Sequence, residues 1–165
     1  MMKLSISCIF AAATAAAALV LSGAVAIARP DSGYHLLQTY KFGAAPGSTS
    51  EYFDYVTVDP DARRVYLSRG TAVEVINADS GELIGYIPGF KRQHGVAIAP
   101  DLGRGFISDG TLAQVTIFDL KTLKVLGMAK AQDDADCIVF DPSTNRVFTM
   151  NGDSHSATAI DAKTG

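Results

Sequence analysis

Residues 59–87 read DPDARRVYLSRGTAVEVINADSGELIGYI, and the same sentence returns twice downstream. Pro60, Pro100 and Pro142 hold one position of it, at intervals of 100 − 60 = 40 and 142 − 100 = 42 residues. Arg64, Arg104 and Arg146 hold a second position, and Tyr66, Phe106 and Phe148 a third. Ile76, Phe118 and Ile160 hold a fourth, followed by Asn77, Asp119 and Asp161. A period of this length in a strand-rich sequence marks one blade of a radial β-array.

Within the first repeat, four short β-branched or aromatic runs alternate with polar turns. They are residues 55–58, 64–68, 73–76 and 83–87, the last stopped by Pro88-Gly89. Asp59-Pro60-Asp61 favours a turn because Pro presets φ and Asp can accept from nearby backbone N–H groups. Such spacing predicts an antiparallel meander. The second repeat supplies runs at 96–99, 105–108, 115–118 and 124–128, and the third at 137–140, 147–150 and 157–160. The first run of each repeat is nearly all apolar, which suits a strand buried on both faces near a central axis. Tyr66, Phe106 and Phe148 are expected to fill the gaps between blades, since one blade cannot bury both its faces alone. Residues 34–43 read as an isolated fourth strand that closes a ring. The fold class expected is all-β: a β-propeller of four-stranded antiparallel blades, about three of them, in an incomplete ring. The expected organisation is 1–28 signal peptide, 29–53 closing strand and linker, 54–93 blade, 94–135 blade, and 136–165 partial blade. The chain thus reads as the front part of a longer protein.

Met1 to Lys3 is a short positive start, Leu4 to Leu21 is apolar, and small residues follow up to Ala28. This is the pattern of a cleaved export signal, with Arg29 as the first mature residue. A retained membrane anchor is the competing reading, because the apolar stretch is long enough to span. Cleavage and a periplasmic or secreted location, with no stable membrane insertion afterwards, are the expectation. Removing Lys3 leaves 13 basic against 17 acidic residues, a net charge of −4. With no basic run, nucleic acid is excluded as an expected partner. Cys8 falls in the signal, so Cys137 is the one remaining thiol and no internal disulfide can form. A lone thiol is expected to sit buried as a small apolar side chain.

Several segments recur in register: Arg64-Val65-Tyr66-Leu67-Ser68, Val73-Glu74-Val75-Ile76-Asn77, Val115-Thr116-Ile117-Phe118-Asp119, Arg146-Val147-Phe148-Thr149-Met150-Asn151 and Asp161-Ala162-Lys163-Thr164-Gly165. Together they resemble the YVTN-type (YncE-like) β-propeller repeats. That resemblance implies an exported seven-bladed propeller and names no reaction. The family's Asn after the second strand stands here as Asn151, with Arg69 and Asp109 in the other repeats.

Asp54, His94 and Asp136 each lie six residues before the repeat proline. In a propeller such positions ring the channel mouth, where the loops carrying Arg69, Asp109, Asp153 and His155 also open. The expectation is a face that binds a protein or small-molecule ligand. Asp54, His94 and Asp136 are also candidate ligands for a divalent metal, or acid and base groups of a metal-dependent lactonase-like hydrolase or oxidoreductase. The plainer alternative is that these residues cap strands and bond their own backbone. Asp133-Asp134 is expected to be a solvated acidic loop, since adjacent side chains of an extended segment point apart. Arg64, Arg104 and Arg146 are expected on the opposite face, paired with neighbouring Asp residues.

Overall fold

The computed structural model describes residues 33–49 and 52–165. The signal expected over 1–28 lies outside the described residues. Among the described residues no helix is long and apolar enough to cross a membrane.

Among the described residues ten strands follow one another: β1 (Val56–Asp59), β2 (Arg64–Ser68), β3 (Gly70–Asn77), β4 (Leu83–Ala99), β5 (Arg104–Asp109), β6 (Gln114–Asp119), β7 (Val125–Lys130), β8 (Ala135–Asp141), β9 (Arg146–Asn151) and β10 (Ser156–Asp161). All pairings are antiparallel between sequence neighbours. The first seven strands form one sheet and β8–β10 a second. The three repeats are therefore three meanders, as the period predicts.

One boundary differs from expectation. Pro88-Gly89 does not end a strand: β4 runs on for 17 residues, as the outer strand of the first blade and then the inner strand of the second. The crossover stays extended because Gln93, fully buried, fastens it. Its Nε2 donates to Ser68 Oγ and to the His94 carbonyl, while Oε1 accepts from Arg69 N at 3.1 Å. Residues 34–43, read as a ring-closing strand, pair with no strand among the described residues. Residues 33–38 group apart from the compact unit 39–165, with Tyr34, Leu36 and Leu37 exposed. Within the compact unit, Tyr40 Oη donates to the Asp79 carbonyl at 3.1 Å, a side-chain tether in place of strand pairing.

Two apolar clusters form the core, one on each side of the middle blade. Tyr66, Val75, Ile87, Phe90, Ile107 and Phe118 pack between the first and second blades. Phe106, Val115, Ile117, Val147 and Ile160 pack between the second and third. The Tyr66 and Phe118 rings meet at 5.9 Å and 54°. Each fully buried aromatic of this kind contributes roughly 1.5–3 kcal/mol. Phe148 is only half-buried, unlike Tyr66 and Phe106, because just one neighbour covers its blade. The same reasoning corrects the inner strands. Val96, Ala97 and Ala99 of the flanked middle blade are buried, but Val56 and Val58 of β1 and Val139 of β8 are about half exposed.

Polar clasps repeat with the blades. Ser68 Oγ donates to the His94 carbonyl, and Ser108 Oγ, one repeat on, donates to the Asp136 carbonyl. Thr57 Oγ1 donates to the Val96 carbonyl at 2.6 Å, which sets the inner strands of the first two blades side by side. A Cβ built on Gly95 would lie 2.9 Å from Ile138 Cγ2, so the next inner strand is equally close. On the other side of the blades, Arg64 donates to the Leu120 carbonyl and Arg104 to those of Ala162 (3.1 Å) and Lys163 (2.6 Å). These arginines thus hold the turn carbonyls of the following blade rather than pairing with Asp. Arg146 is exposed.

Candidate functional site

The inner strands carry a β-bulge at equivalent places. On β4, His94-Gly95 stand opposite Ser108 alone, since Gln93 pairs with Asp109 and Val96 with Ile107. On β8, Asp136-Cys137 stand opposite Met150 in the same way. A bulge breaks strict alternation and re-aims side chains. It turns His94 and Asp136 toward one another and toward Asp54, which precedes β1. It also turns Cys137 outward, so the thiol is exposed and not buried as expected.

His94 is the centre of the cluster, with 3% of its surface exposed. Its Nδ1 lies 2.7 Å from Asp54 Oδ2 and 3.8 Å from Asp136 Oδ1. A carboxylate can only accept, so Nδ1 donates to Asp54. Nε2 faces Asp134 Oδ1 at 3.8 Å and has no hydrogen-bond partner; neither has Asp136 Oδ1. Tyr52 Oη donates to Asp54 Oδ2 at 2.9 Å. Burial and that hydrogen bond hold the Tyr52 phenol above its ordinary pKa. The charge of Asp136, followed by partial burial, raises Tyr55.

Asp134 belongs to this cluster, which corrects its reading as a solvated loop residue. Its backbone is left-handed, with φ 58°. This turn, just ahead of β8, brings Asp134 Oδ1 to 3.8 Å from His94 Nε2. Its side chain is 14% exposed and pairs with Arg92 Nη1 at 2.8 Å. Two glycines make room for it. A Cβ on Gly110 would lie 2.8 Å from Asp134 Oδ1 and 3.0 Å from His94 Nε2, and one on Gly152 would lie 2.5 Å from Asp134 Oδ2. Tyr52, Arg92 and Asp134 also share a column of the repeat, each eight residues before its proline, but three unlike side chains at one position carry no common chemical signal.

The remaining expected site residues do other work. Arg69 is 1% exposed and forms a buried ion pair with Glu74. Its Nη2 donates to the Gly43 carbonyl at 2.8 Å, and its guanidinium lies 4.2 Å from the Phe53 ring centroid. Asp109 is fully buried and accepts from the backbone N–H groups of Lys91 (2.8 Å), Arg92 (3.3 Å) and Leu112 (3.0 Å). Both shape the loops around the cluster from beneath and are not open to a ligand. Asp153 and His155 are exposed on the β9–β10 turn, and among the described residues neither bonds to the cluster.

Among the described residues no group of three or more His, Cys, Asp or Glu side chains is arranged to hold a metal ion. Asp54, His94 and Asp136 come together around Nδ1, with Asp54 hydrogen-bonded to it and Asp136 3.8 Å away. A cleft of about 210 Å³ lies alongside, lined by Tyr52, Gly70, Thr71, Lys91 and Arg92. A larger one of about 350 Å³ lies among Asp59, Arg64, Pro100, Asp119 and Lys121. Its groups are already engaged: Arg64 holds the Leu120 carbonyl, and Asp59 accepts from the N–H groups of Asp61 and Ala62.

No family model matches this chain. No curated protein matches it either. Among solved structures it is similar to the hydrazine synthase of Kuenenia stuttgartiensis, with a TM-score of 0.62 and 16% sequence identity. The match covers 72% of this chain and 36% of that one, so the chain spans about a third of its neighbour's length. At this identity the likeness speaks for fold alone. Together with the repeated four-stranded meanders and the clasps between them, it makes the chain an arc of a β-propeller.

Proposed function

We propose that this arc belongs to an exported binding or scaffold propeller of the YVTN-type repeat class, and that its ligand is recognised where Asp54, His94 and Asp136 meet. One observation carries the reading: equivalent positions of three successive repeats put their side chains within 2.7–3.8 Å of His94 Nδ1. Asp136 supports it further: its Oδ1 is buried without a hydrogen-bond partner while the side chain as a whole stays 37% exposed. The test is a fragment screen by ligand-observed NMR on the chain and on a His94→Gln/Asp136→Asn variant. Hits that bind the chain and are lost in the variant support the reading. Hits that survive the double substitution place recognition elsewhere and end it. Export is tested by sequencing the N-terminus of protein recovered from outside the cytoplasm, where Arg29 is expected first.

A propeller enzyme is the second reading, favoured by the Asp54–His94 pair. That pair orients an imidazole as acid–base groups require. Against it, His94 Nε2 is roofed by Gly110 and Asp134, so proton transfer to a substrate needs that turn to move. Binding needs no such movement, because Asp136 and Tyr52 are already partly open.

A further inference from the structure

We propose that a second copy of this chain completes the ring, head to tail: the open face of the third blade of one copy seats on the open face of the first blade of the other. The inference goes beyond the ligand reading above and does not depend on it.

The chain holds two interfaces between blades and, at its ends, the two halves of a third. The face that a blade turns to the next one is built from Tyr66 and Val75, and one repeat on from Phe106 and Ile117, all buried. Their equivalents on the third blade are Phe148, half-buried, and Ala159, exposed, with Val139 exposed beside them. The opposite face is built from Val96 and Ile98 in the second blade and from Ile138 and Phe140 in the third, all packed into the two clusters. Their equivalents in the first blade, Val56 and Val58, are exposed. Each end thus offers the apolar surface that the other end leaves uncovered.

The polar clasps match in the same way. Arg64 and Arg104 hold the Leu120 and Ala162 carbonyls of the following blade. Arg146, the third of that column, bonds nothing among the described residues. The carbonyl that answers it is that of Ala78, which stands in the column of Leu120 and Ala162 on the first blade.

The outer edge selects a second copy over an unrelated partner. β10 is the edge of a three-stranded sheet, whereas the first two blades each have a fourth strand. The first blade of a second copy brings one. A Cβ on Gly85, in the outer strand of the first blade, would lie 3.2 Å from Leu123 of the second. A Cβ on Gly81, the equivalent of Leu123, would meet the ring of Tyr40. Tyr40 therefore stands on the first blade where the outer strand of a preceding blade would stand. The chain runs on from there, its Gly43 and Pro46 carbonyls accepting from Arg69 Nη2 and Thr71 Oγ1. Laid against β10 of the other copy, residues 39–49 supply the strand that blade lacks and cover its open edge. Two copies bring six blades, within the four to eight of closed propellers. A head-to-tail contact that closes gives a ring and not a filament. Below the dissociation constant the chain is the single arc described above.

The experiment is sedimentation velocity over a concentration series, joined to disulfide trapping. The chain is expected to reach twice the mass of one copy and stop there. Val56→Asp and Val139→Lys, both at positions exposed in the single arc, should each weaken association roughly tenfold or more, since each buries an unpaired charge. Mixing the two variants should restore it, because one contact is then unaltered and the other pairs opposite charges. Arg146→Met should weaken association several-fold. Thr57 and Val96, the equivalents of Val139 and Val56, meet across the first interface at 2.6 Å. In a Cys8→Ser/Cys137→Ser background, Val56→Cys and Val139→Cys should therefore give disulfide-linked dimers only when mixed. Circular dichroism matching the parent checks that each variant folds. A chain that keeps the mass of one copy at NMR concentrations, masses that rise past two copies, no recovery in the mixture, or linked dimers from either cysteine variant alone would each overturn the proposal.

Discussion

Arg69 shows how a residue with the right position can have the wrong environment. Its place in the repeat suggests a rim residue, yet its guanidinium is buried against Glu74 and the Phe53 ring. Removing one member of a buried pair strands the other charge, at a cost of about 3–5 kcal/mol. Arg69→Met should lower stability by that amount in urea unfolding, and Arg69→Met/Glu74→Leu should recover most of it. A single variant as stable as the parent would show that Glu74 finds water or a proton instead. The turn aspartates predict an acid response. Hydrogen bonds from Thr122 hold Asp119 below its usual 3.8, those from Thr144 and Ser143 do so for Asp141, and those from Thr164 and Lys163 for Asp161. A carboxyl whose pKa is depressed on folding contributes stability above its unfolded pKa and loses it as pH falls through the folded value. The chain should therefore lose stability as pH falls below about 4, the ordinary carboxyl range. Asp119→Asn/Asp141→Asn/Asp161→Asn should flatten that fall. An unchanged acid slope in the triple variant would mean the turns open before they titrate.

At the scale of elements, the ladder was legible and the exceptions were not. Every strand pair follows the repeat, and even the outer-strand bulge recurs, between Val75 and Ile76 and again between Ile117 and Phe118. Periodicity of apolar residues reports such pairing directly. It says nothing of Gln93, whose side chain carries the chain through Pro88-Gly89, because that effect depends on Ser68 and Arg69 from another strand. Nor does it reveal that His94 and Asp136 sit in bulges, although their column was readable and correctly brought Asp54, His94 and Asp136 together. Ser108 is the element that best tests the bulge. Fully buried, it accepts from Gly95 N at 3.0 Å and donates to the Asp136 carbonyl. Ser108→Ala leaves both backbone groups without this partner, which should cost about 1–3 kcal/mol. The same change should shift the His94 and Asp136 NMR signals, since it frees both halves of the site. A stability loss with those signals unmoved would mean the bulges hold their shape unaided.

For the whole molecule, the blades are not equally joined. The first two share β4, a covalent strand that belongs to both meanders. The third shares no strand pairing with them and forms a separate sheet. It is held by the apolar cluster around Phe106 and Val147, by Ser108, and by Arg104 reaching the Ala162 and Lys163 carbonyls. In a repeat array, stability divides into contributions within units and between neighbours. The interface with the third blade should therefore open below the free energy of global unfolding, in the manner of a local unfolding unit. Hydrogen exchange should show β8–β10 amides less protected than those of β3 and β6. Arg104→Met/Ser108→Ala should lower β8–β10 protection selectively and leave β2 and β3 unchanged. Uniform loss of protection across all ten strands would instead make the arc one cooperative body. In that case the Asp136 half of the site would be as rigid as the His94 half.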